Sequence, residues 1–341
     1  MVATATLDDL RATIAAAPAL AAVGSRTHWE VGGPAPDDAD VVLVRAPDGI
    51  AVYDPADLTV TVGAGTRCVE LTAALAEHGQ ECPLDPRDAD ATVGGVLATG
   101  LSGHRRLRYG PVRDRVLEVR FVTADGRVVK GGGPTVKNVS GFDLPRLLVG
   151  SLGTIGLLVQ VTLRCQPRPA EARWWRTPAD PFALRRELFR PSCVIWDGIT
   201  TSVLLEGVPA DLDAERACIG GAEALTAAPD WPDGPHRGRI SVRPSALRDL
   251  ADPLDAAGVR WHAEVGVGTV HVAADTERAL AAAREVARGA GGWLLREAGA
   301  PGLDGFGVPL PNAAVMARIR AAFDPDAKWS PARLPVDPSD G

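Results

Sequence analysis

The sequence predicts an α+β protein of two domains built from short strands and helices. At 341 residues the chain is longer than one average core requires, so two compact units with a cleft are expected. Runs rich in β-branched residues alternate with helical patterns throughout the chain. Gln166-Pro167-Arg168-Pro169 ends a strand, because two prolines cannot continue a central ladder. We therefore expect a domain boundary near residue 168.

Composition and charge exclude several classes of protein. A net charge of -7 leaves no basic surface for nucleic acid. The five cysteines are scattered without a CxxC pair, which argues against a zinc site, an iron–sulfur cluster or a disulfide framework and favours a reducing cytoplasm. The first residues are acidic (Asp8, Asp9) rather than basic, and no run of about 18 apolar residues follows. We expect a cytoplasmic protein without a signal peptide or membrane span.

The first half is predicted to alternate short strands with helices. The expected elements are a helix over 7–17, strands over 20–23, 41–44, 50–53 and 59–62, a helix over 68–78, strands over 116–123 and 127–130, and a strand over 155–165. Ala124-Asp125-Gly126 supplies the tight turn of a hairpin.

A second set of elements is predicted after residue 168. These are strands over 199–205 and 239–242, helices over 212–219, 245–257 and 276–290, a hairpin over 259–272 and a last helix over 315–323. This order favours a split βαβ arrangement.

Two glycine-rich stretches invite a nucleotide-binding interpretation. Gly63-Ala64-Gly65-Thr66-Arg67-Cys68 resembles a dinucleotide fingerprint, but Cys68 replaces its last glycine and no acidic strand end follows at the required spacing, so a simple turn is favoured. Asp85-Pro86 and the small residues of 91–103 are more informative, since four glycines let backbone N–H groups approach a diphosphate. An ordinary glycine-rich loop explains the latter stretch equally well when it is taken alone.

The order of several motifs along residues 20–168 distinguishes these alternatives. They are Val23-Gly24-Ser25-Arg26-Thr27, Thr92-Val93-Gly94-Gly95, Tyr109-Gly110-Pro111-Val112-Arg113-Asp114, Lys137-Asn138-Val139-Ser140-Gly141-Phe142-Asp143-Leu144, and Leu148 to Gly156. Together they resemble the FAD-binding domain of the p-cresol methylhydroxylase and vanillyl-alcohol oxidase superfamily, and are similar to the FAD-binding subunits of glycolate oxidase.

This resemblance implies a two-subdomain FAD-binding domain at 1–168, a smaller ferredoxin-like α+β cap at 169–320 and a segment at 321–341 that returns to the first domain. It implies non-covalent FAD, since Thr27 occupies the position at which some relatives attach the flavin through histidine. The residues it assigns to FAD are Gly24, Ser25, Arg26, Thr27, His28, Pro86, Thr92, Val93, Gly94, Gly95, Ala98, Thr99, Gly100, Ser102, Gly103, Gly110, Val112, Arg113, Asp114, Asn138, Gly141, Asp143, Gly153, Gly156 and Leu158.

Some of these assignments have local alternatives. Asp143 is also well placed to cap the helix that begins at Leu144, and Arg113 with Asp114 also forms a plausible local ion pair. The chain departs from the family pattern at Ser330, where the family usually has Asn, and at Ala332, where it has Gly. The backbone turn there is expected to differ.

No catalytic residue can be identified in the second half. A turn at Gly266-Val267 would place His262 directly opposite His271 on antiparallel strands, with Glu264 on the face of His262. Isolated histidines on a strand are more often packed or solvated, and these residues are too few to assert a metal site. The His- and Glu-rich cluster of the metal-dependent relatives is not recognisable in this half.

The resemblance implies an FAD-dependent oxidoreductase, the FAD-binding subunit of a glycolate oxidase complex. It would act with an iron–sulfur subunit, which receives the electrons, and a second flavoprotein subunit. Two alternatives remain: a stand-alone oxidase or dehydrogenase of a small alcohol or hydroxy acid, and a flavin-carrying relay or structural subunit without its own substrate site. The unrecognised acid–base cluster favours the relay role.

Overall fold

The computed structural model describes residues 6–133 and 142–335. Its helices are α1 Leu7–Ala16, α2 Cys68–Ala76, α3 Val93–Thr99, α4 Arg106–Tyr109, α5 Leu144–Leu148, α6 Pro181–Glu187, α7 Pro209–Ala217, α8 Ala251–Ala256, α9 Glu277–Gly289 and α10 Ala313–Phe323. Its strands are β1 Leu20–Ala22, β2 Val42–Val44, β3 Ile50–Asp54, β4 Thr59–Gly63, β5 Gln80–Glu81, β6 Val116–Val122, β7 Val128–Gly132, β8 Leu157–Arg164, β9 Gln166–Pro167, β10 Glu171–Thr177, β11 Cys193–Trp196, β12 Thr201–Gly207, β13 Glu223–Leu225, β14 His236–Ser241, β15 Arg260–Glu264, β16 Thr269–Ala274 and β17 Trp293–Ala298. Turns of 3₁₀ helix lie at Val112–Arg115 and Pro244–Leu250.

The chain forms two compact units. The first contains residues 1–102, 111–168 and 309–341, and the second contains 103–110 and 169–308. The sequence assigned 103–110 to the FAD domain, whereas the structure groups this segment with the second unit. In the structure, the chain returns to the first unit at residue 309, earlier than the expected residue 321.

The first unit is organised around an antiparallel sheet in the order β3-β4-β8-β6-β7. Strand β8 lies at its centre, and its leucines and valines are buried on both faces of the sheet. Leu158, Val161 and Leu163 pack with helices α2 and α3, while Leu157 and Val159 join a second cluster that contains Ile14 of α1. The predicted hairpin of β6 and β7 is present.

A smaller parallel pair, β1 with β2, depends on the C-terminal segment. Leu20 donates its N–H to Lys328 O at 2.8 Å, and Ser330 donates its N–H to Leu20 O at 2.7 Å. Lys328 Nζ donates to three main-chain carbonyls, including Ile14 O at 3.0 Å, and Trp329 is fully buried. Residues 328–330 therefore complete the N-terminal part of this unit.

The second unit is one antiparallel sheet in the order β13-β10-β12-β11-β15-β16-β14-β17. Its first four strands with α6 and α7 form a βαββαβ unit, and its last four with α8 and α9 form another. Both have the ferredoxin-like order 4-1-3-2, and they meet where β11 pairs with β15. The expected ferredoxin-like arrangement therefore occurs twice.

Strand alternation gives the eight-stranded sheet two different faces. Val203, Leu205, Ala263, Val270 and Val272 share one apolar core with the helices. The residues between them, including buried Glu206, His262, Glu264 and His271, point to the opposite face. The second unit thus combines an apolar core with a polar, buried sheet surface.

The α+β prediction is confirmed, but the elements of 171–196 were missed. Strand β10 contains Trp174 and Trp175. Both are partly buried: Trp175 packs on the main core, and Trp174 packs on the cluster of Cys193, Ile195 and Leu204. Within the described part of the chain, no helix has the length and apolar character needed to cross a membrane.

Candidate functional site

A cavity of about 890 Å³ opens in the first unit. Its walls come from the loop after β1, the start of α3, the segment that leads into β8 and the C-terminal segment. Part of this space is open to solvent, and its lining combines apolar side chains with a few polar groups, as is typical of cofactor sites.

The loop after β1 is packed against the N-cap of α3. A Cβ added to Gly24 would lie 2.3 Å from Thr92 Oγ1, so only glycine permits this approach. Thr92 in turn caps α3, because its Oγ1 accepts a hydrogen bond from Gly95 N at 3.1 Å. Arg45 donates to Gly24 O at 2.9 Å and fixes the other side of the loop. The first and second segments that we predicted to bind phosphate therefore form one wall of the cavity.

Gly95 and Gly153 leave open space at this wall. A Cβ at Gly95 would meet only the Thr92 hydroxyl within 4 Å, at 3.1 Å, and one at Gly153 would meet nothing closer than 3.6 Å. Gly153 also has a positive φ of 71°, which favours glycine. Side chains at these positions would fill the cavity rather than the protein interior, as expected for a cradle around a bound group.

Positive charge at the cavity comes from two arginines. Arg26 pairs with Asp38 at 2.5 Å, and its guanidinium lies 4.9 Å from the Trp29 ring centroid. Buried Arg333 lies in the wall and donates to Pro34 O at 3.3 Å. Both arginines are therefore held in place at the cavity wall, where an anionic group would benefit from them.

The C-terminal turn keeps left-handed backbone despite its departures from the family pattern. Ser330 has φ 44° and Ala332 has φ 58°, values that Asn and Gly adopt more readily. Ser330 also lines the cavity and donates its hydroxyl to Gly153 O at 3.2 Å. Both residues thus adopt a backbone conformation that Asn and Gly, the usual residues of the family there, favour.

The structure gathers about half of the predicted FAD residues at this cavity. Those in its wall are Gly24, Ser25, Arg26, Thr27, His28, Thr92, Gly94, Gly95, Ala98, Thr99, Gly153, Gly156 and Leu158. Predicted residues outside its wall are Pro86, Val93, Gly100, Ser102, Gly103, Gly110, Val112, Arg113, Asp114 and Asp143. Asn138 and Gly141 lie outside the described residues.

Three of the residues outside the wall make the local contacts that the sequence analysis gave as alternatives. Asp143 caps α5 by accepting from Arg146 N at 3.0 Å. Arg113 lies 3.8 Å from Asp114, and both are exposed. Gly103 and Gly110 belong to the second unit, so they are not part of the wall that the first unit forms.

A second site lies on the polar face of the eight-stranded sheet. His262 and His271 are directly opposite each other on β15 and β16, as predicted. His104 joins them: its Nδ1 lies 3.0 Å from Glu264 Oε1, and His271 Nε2 lies 3.2 Å from the same oxygen. This cluster is not recognisable from sequence alone, because His104 comes from a segment 160 residues away from Glu264.

The four residues of this His–Glu cluster, His104, His262, Glu264 and His271, are all buried. Burial alone would raise the pKa of Glu264, but hydrogen bonds and charge from His104 and His271 hold it well below its usual range. Trp231 stacks on His104 with ring centroids 3.8 Å apart. The cluster therefore holds one carboxylate among imidazoles in a solvent-poor environment.

The segment that carries His104 is held by a second buried carboxylate. Glu206 accepts hydrogen bonds from Arg105 at 3.0 Å, Tyr109 at 2.9 Å and Ser192 at 2.5 Å. Arg108 adds a bond to Glu206 O at 2.6 Å. These contacts explain why residues 103–110 belong to the second unit and why His104 is fixed against the sheet.

Comparison with known proteins agrees with the first site. Residues 1–132 match the FAD binding domain family. The chain is 37% identical over 186 residues to glycolate oxidase subunit GlcE of Escherichia coli (strain K12), covering 54% of this chain and 50% of that protein. It is 39% identical over 137 residues to a D-lactate dehydrogenase of Archaeoglobus fulgidus, covering 40% of this chain and 31% of that protein. The matches thus span half or less of these relatives.

The fold as a whole has relatives among solved structures. An alkyldihydroxyacetonephosphate synthase aligns with a TM-score of 0.70 at 16% identity, over 96% of this chain and 76% of that one. At this identity the match shows the fold alone. Residues 1–132 match the FAD binding domain family, as their motifs predicted, and this match indicates FAD as the cofactor.

Proposed function

We propose that this chain, which begins with an FAD-binding domain, is an FAD-dependent oxidoreductase that acts on a small 2-hydroxy acid. The observation that carries the proposal is the glycine-lined cavity of the first unit, which coincides with motifs shared with hydroxy-acid oxidising relatives. FAD, once bound, supplies the two-electron acceptor, and the protein supplies binding and orientation.

Within the cavity, we assign the diphosphate to the wall formed by Gly24, Thr92 and Gly95. The close packing of Gly24 on Thr92 and the open space beside Gly95 support this assignment. Arg26 and Arg333 supply positive charge at the wall. Gly153 to Leu158 would then line the adenine end, as the family resemblance implies.

We propose that the FAD is held without a covalent bond. Thr27 occupies the expected linking position, and its hydroxyl lies 3.0 Å from His28 Nδ1. His28 is the remaining imidazole at the cavity wall among the described residues. Acid precipitation tests this: yellow colour should remain in the supernatant, and colour retained by the pellet would show a covalent link.

The acceptor of the electrons is proposed to be an iron–sulfur subunit of a glycolate oxidase type complex, with a second flavoprotein subunit. The subunit name of the Escherichia coli relative supports an assembly. All five cysteines are free thiols, and within the described residues no three of them lie close enough to hold a metal. A partner would therefore have to supply the cluster.

A stand-alone enzyme is the second candidate, favoured by the His–Glu cluster. The sequence argument preferred a relay role because it recognised no acid–base group, and this cluster removes that reason. Its buried imidazoles and carboxylate have the chemistry of proton-transfer groups.

Activity of the purified chain separates these candidates. The chain should be yellow and should reduce an artificial dye with glycolate or lactate if it is catalytic alone. Slow reoxidation of the reduced protein in air, with a cysteine-rich protein co-purifying from the native host, would support the partner. Rapid peroxide production at the rate of substrate turnover would overturn the partner proposal. Protein without flavin absorption, and without thermal stabilisation by added FAD, would contradict the flavoprotein proposal itself.

A further inference from the structure

The long loop between β1 and β2 brings a tryptophan into the wall of the first unit's cavity. Trp29 lies in this wall, which is otherwise built mainly from glycines and small or aliphatic side chains. Among the cavity-lining residues that the structure describes, no other is a tryptophan, a tyrosine or a phenylalanine. Stacked aromatic rings gain energy beyond the area that they bury. Trp29 therefore offers the flat ring system of a ligand a partner that the rest of the wall lacks.

The loop is fixed on both sides of Trp29. Before it, Gly24 packs on the N-cap of α3, and after it, a Cβ at Gly33 would collide with the main chain of Arg333. Between these two points the Trp29 N–H donates to Arg26 O at 3.1 Å. The tryptophan is thus carried by backbone that tertiary contacts hold in place.

The indole ring is also held through its side-chain neighbours. The Arg26 guanidinium lies 4.9 Å from the Trp29 ring centroid and pairs with Asp38 at 2.5 Å. Attraction between a cation and an aromatic face stabilises the first contact, and opposite charge stabilises the second. Arg26 also has left-handed backbone, with φ 62°, which a residue with a side chain adopts at an energetic cost. These contacts fix the ring together with the charged group beside it.

We propose that Trp29 packs against the isoalloxazine ring of FAD. This inference rests on the proposed function, which assigns the diphosphate to the wall near Gly24 and Gly95 and the adenine to the segment from Gly153 to Leu158. The part of the wall formed by Trp29 and Pro36 then remains for the flavin.

Contact between indole and flavin has two measurable consequences. Loss of one stacked aromatic partner should weaken binding about 10-fold. Indole also donates an electron to photoexcited flavin at contact distance and takes it back on decay, so FAD bound beside Trp29 should be almost non-fluorescent. The emission of the bound flavin therefore reports the contact separately from the affinity.

The experiment uses the full chain, with FAD removed and then titrated back. Trp29→Phe keeps a flat ring that is a poorer electron donor, and Trp29→Leu removes the ring. Emission of the bound flavin should rise several-fold in both variants. The Kd for FAD should rise about 10-fold in Trp29→Leu and less in Trp29→Phe. ADP, which carries the adenine and the diphosphate without a flavin, should bind both variants with unchanged Kd.

Trp293→Phe is the matched control, because Trp293 is also partly buried but belongs to the second unit and does not line the cavity. It should leave the flavin emission and both Kd values unchanged. The Tm of each variant without FAD shows whether the fold is retained, and Trp29→Phe, the milder change, decides the matter if Trp29→Leu is unstable.

Two results would overturn the proposal. One is unchanged flavin emission and FAD affinity in the Trp29 variants. The other is a Kd for ADP that rises together with the Kd for FAD, since the ring would then lie beside the adenine. Wild-type protein that binds no FAD would overturn the proposed function itself, and this inference with it.

Discussion

The cavity of the first unit, which we propose to bind FAD, and the His–Glu cluster of the second unit are assembled in different ways. The cavity is made of contiguous glycine-rich segments, each of which carries its own sequence pattern. The cluster takes Glu264 and two histidines from one hairpin and a third histidine from a segment 160 residues earlier than Glu264. Backbone-lined sites are therefore readable from local sequence, whereas side-chain clusters on a sheet depend on tertiary contacts.

The largest expected effect tests the backbone-lined site. Gly95→Val should weaken FAD binding at least about 100-fold, because a branched side chain would take the space beside Thr92 that we assign to the diphosphate. Fitting both groups there would cost about 3 kcal/mol in overpacking. Flavin stoichiometry after gel filtration measures the loss. Gly289→Val, at an exposed helix end, is the control. Normal flavin content in Gly95→Val would move the diphosphate away from this wall.

The second-largest effect tests whether Glu264 holds the His–Glu cluster together. Glu264→Ala removes the acceptor shared by His104 and His271 and should lower the free energy of unfolding by about 3 kcal/mol. Urea denaturation of the purified protein measures the change in the free energy of unfolding. The exposed Glu285→Ala should change stability by less than about 0.5 kcal/mol. Equal stability of the two variants would show that the carboxylate does not organise the cluster.

Prediction from sequence succeeded where the signal was local. Hairpin β15–β16 was predicted with its register, because the turn at Gly266 fixes which residues face each other. Strands β10 and β11 were missed: one combines charged residues with tryptophans, and the other is a four-residue buried run without alternation. The role of His104 could not be derived, since no local pattern shows that its segment packs on a distant sheet.

A smaller effect is expected at the C-terminal turn beside the cavity. Ala332 is exposed with φ 58°, so Ala332→Gly should relieve left-handed strain and raise stability by about 1 kcal/mol, even after the entropic cost of glycine. Ala322→Gly, within helix α10, should instead lower stability by about 1 kcal/mol. Thermal denaturation of both variants checks the opposite signs. Destabilisation of Ala332→Gly would show that the turn is not strained.

The smallest effect contrasts buried thiols with an exposed one. Burial raises the pKa of Cys68 to about 12, with a contribution from Asp85, and burial raises that of Cys165 to about 11. Because thiolate is the reactive form, these cysteines should resist iodoacetamide at pH 8, while exposed Cys218 reacts. Mass spectrometry should find one label in native protein and five in urea. Rapid native labelling of Cys68 would contradict its burial.

The contacts of Lys328, Trp329 and Ser330 have a consequence for biosynthesis. The N-terminal strand β1 exchanges hydrogen bonds with residues that leave the ribosome about 300 residues after it. The second unit, apart from residues 103–110, is one continuous stretch that is synthesised before them. The first unit therefore cannot complete its fold until residue 330 has emerged, and a nascent chain truncated before residue 328 should remain sensitive to protease at its N-terminus.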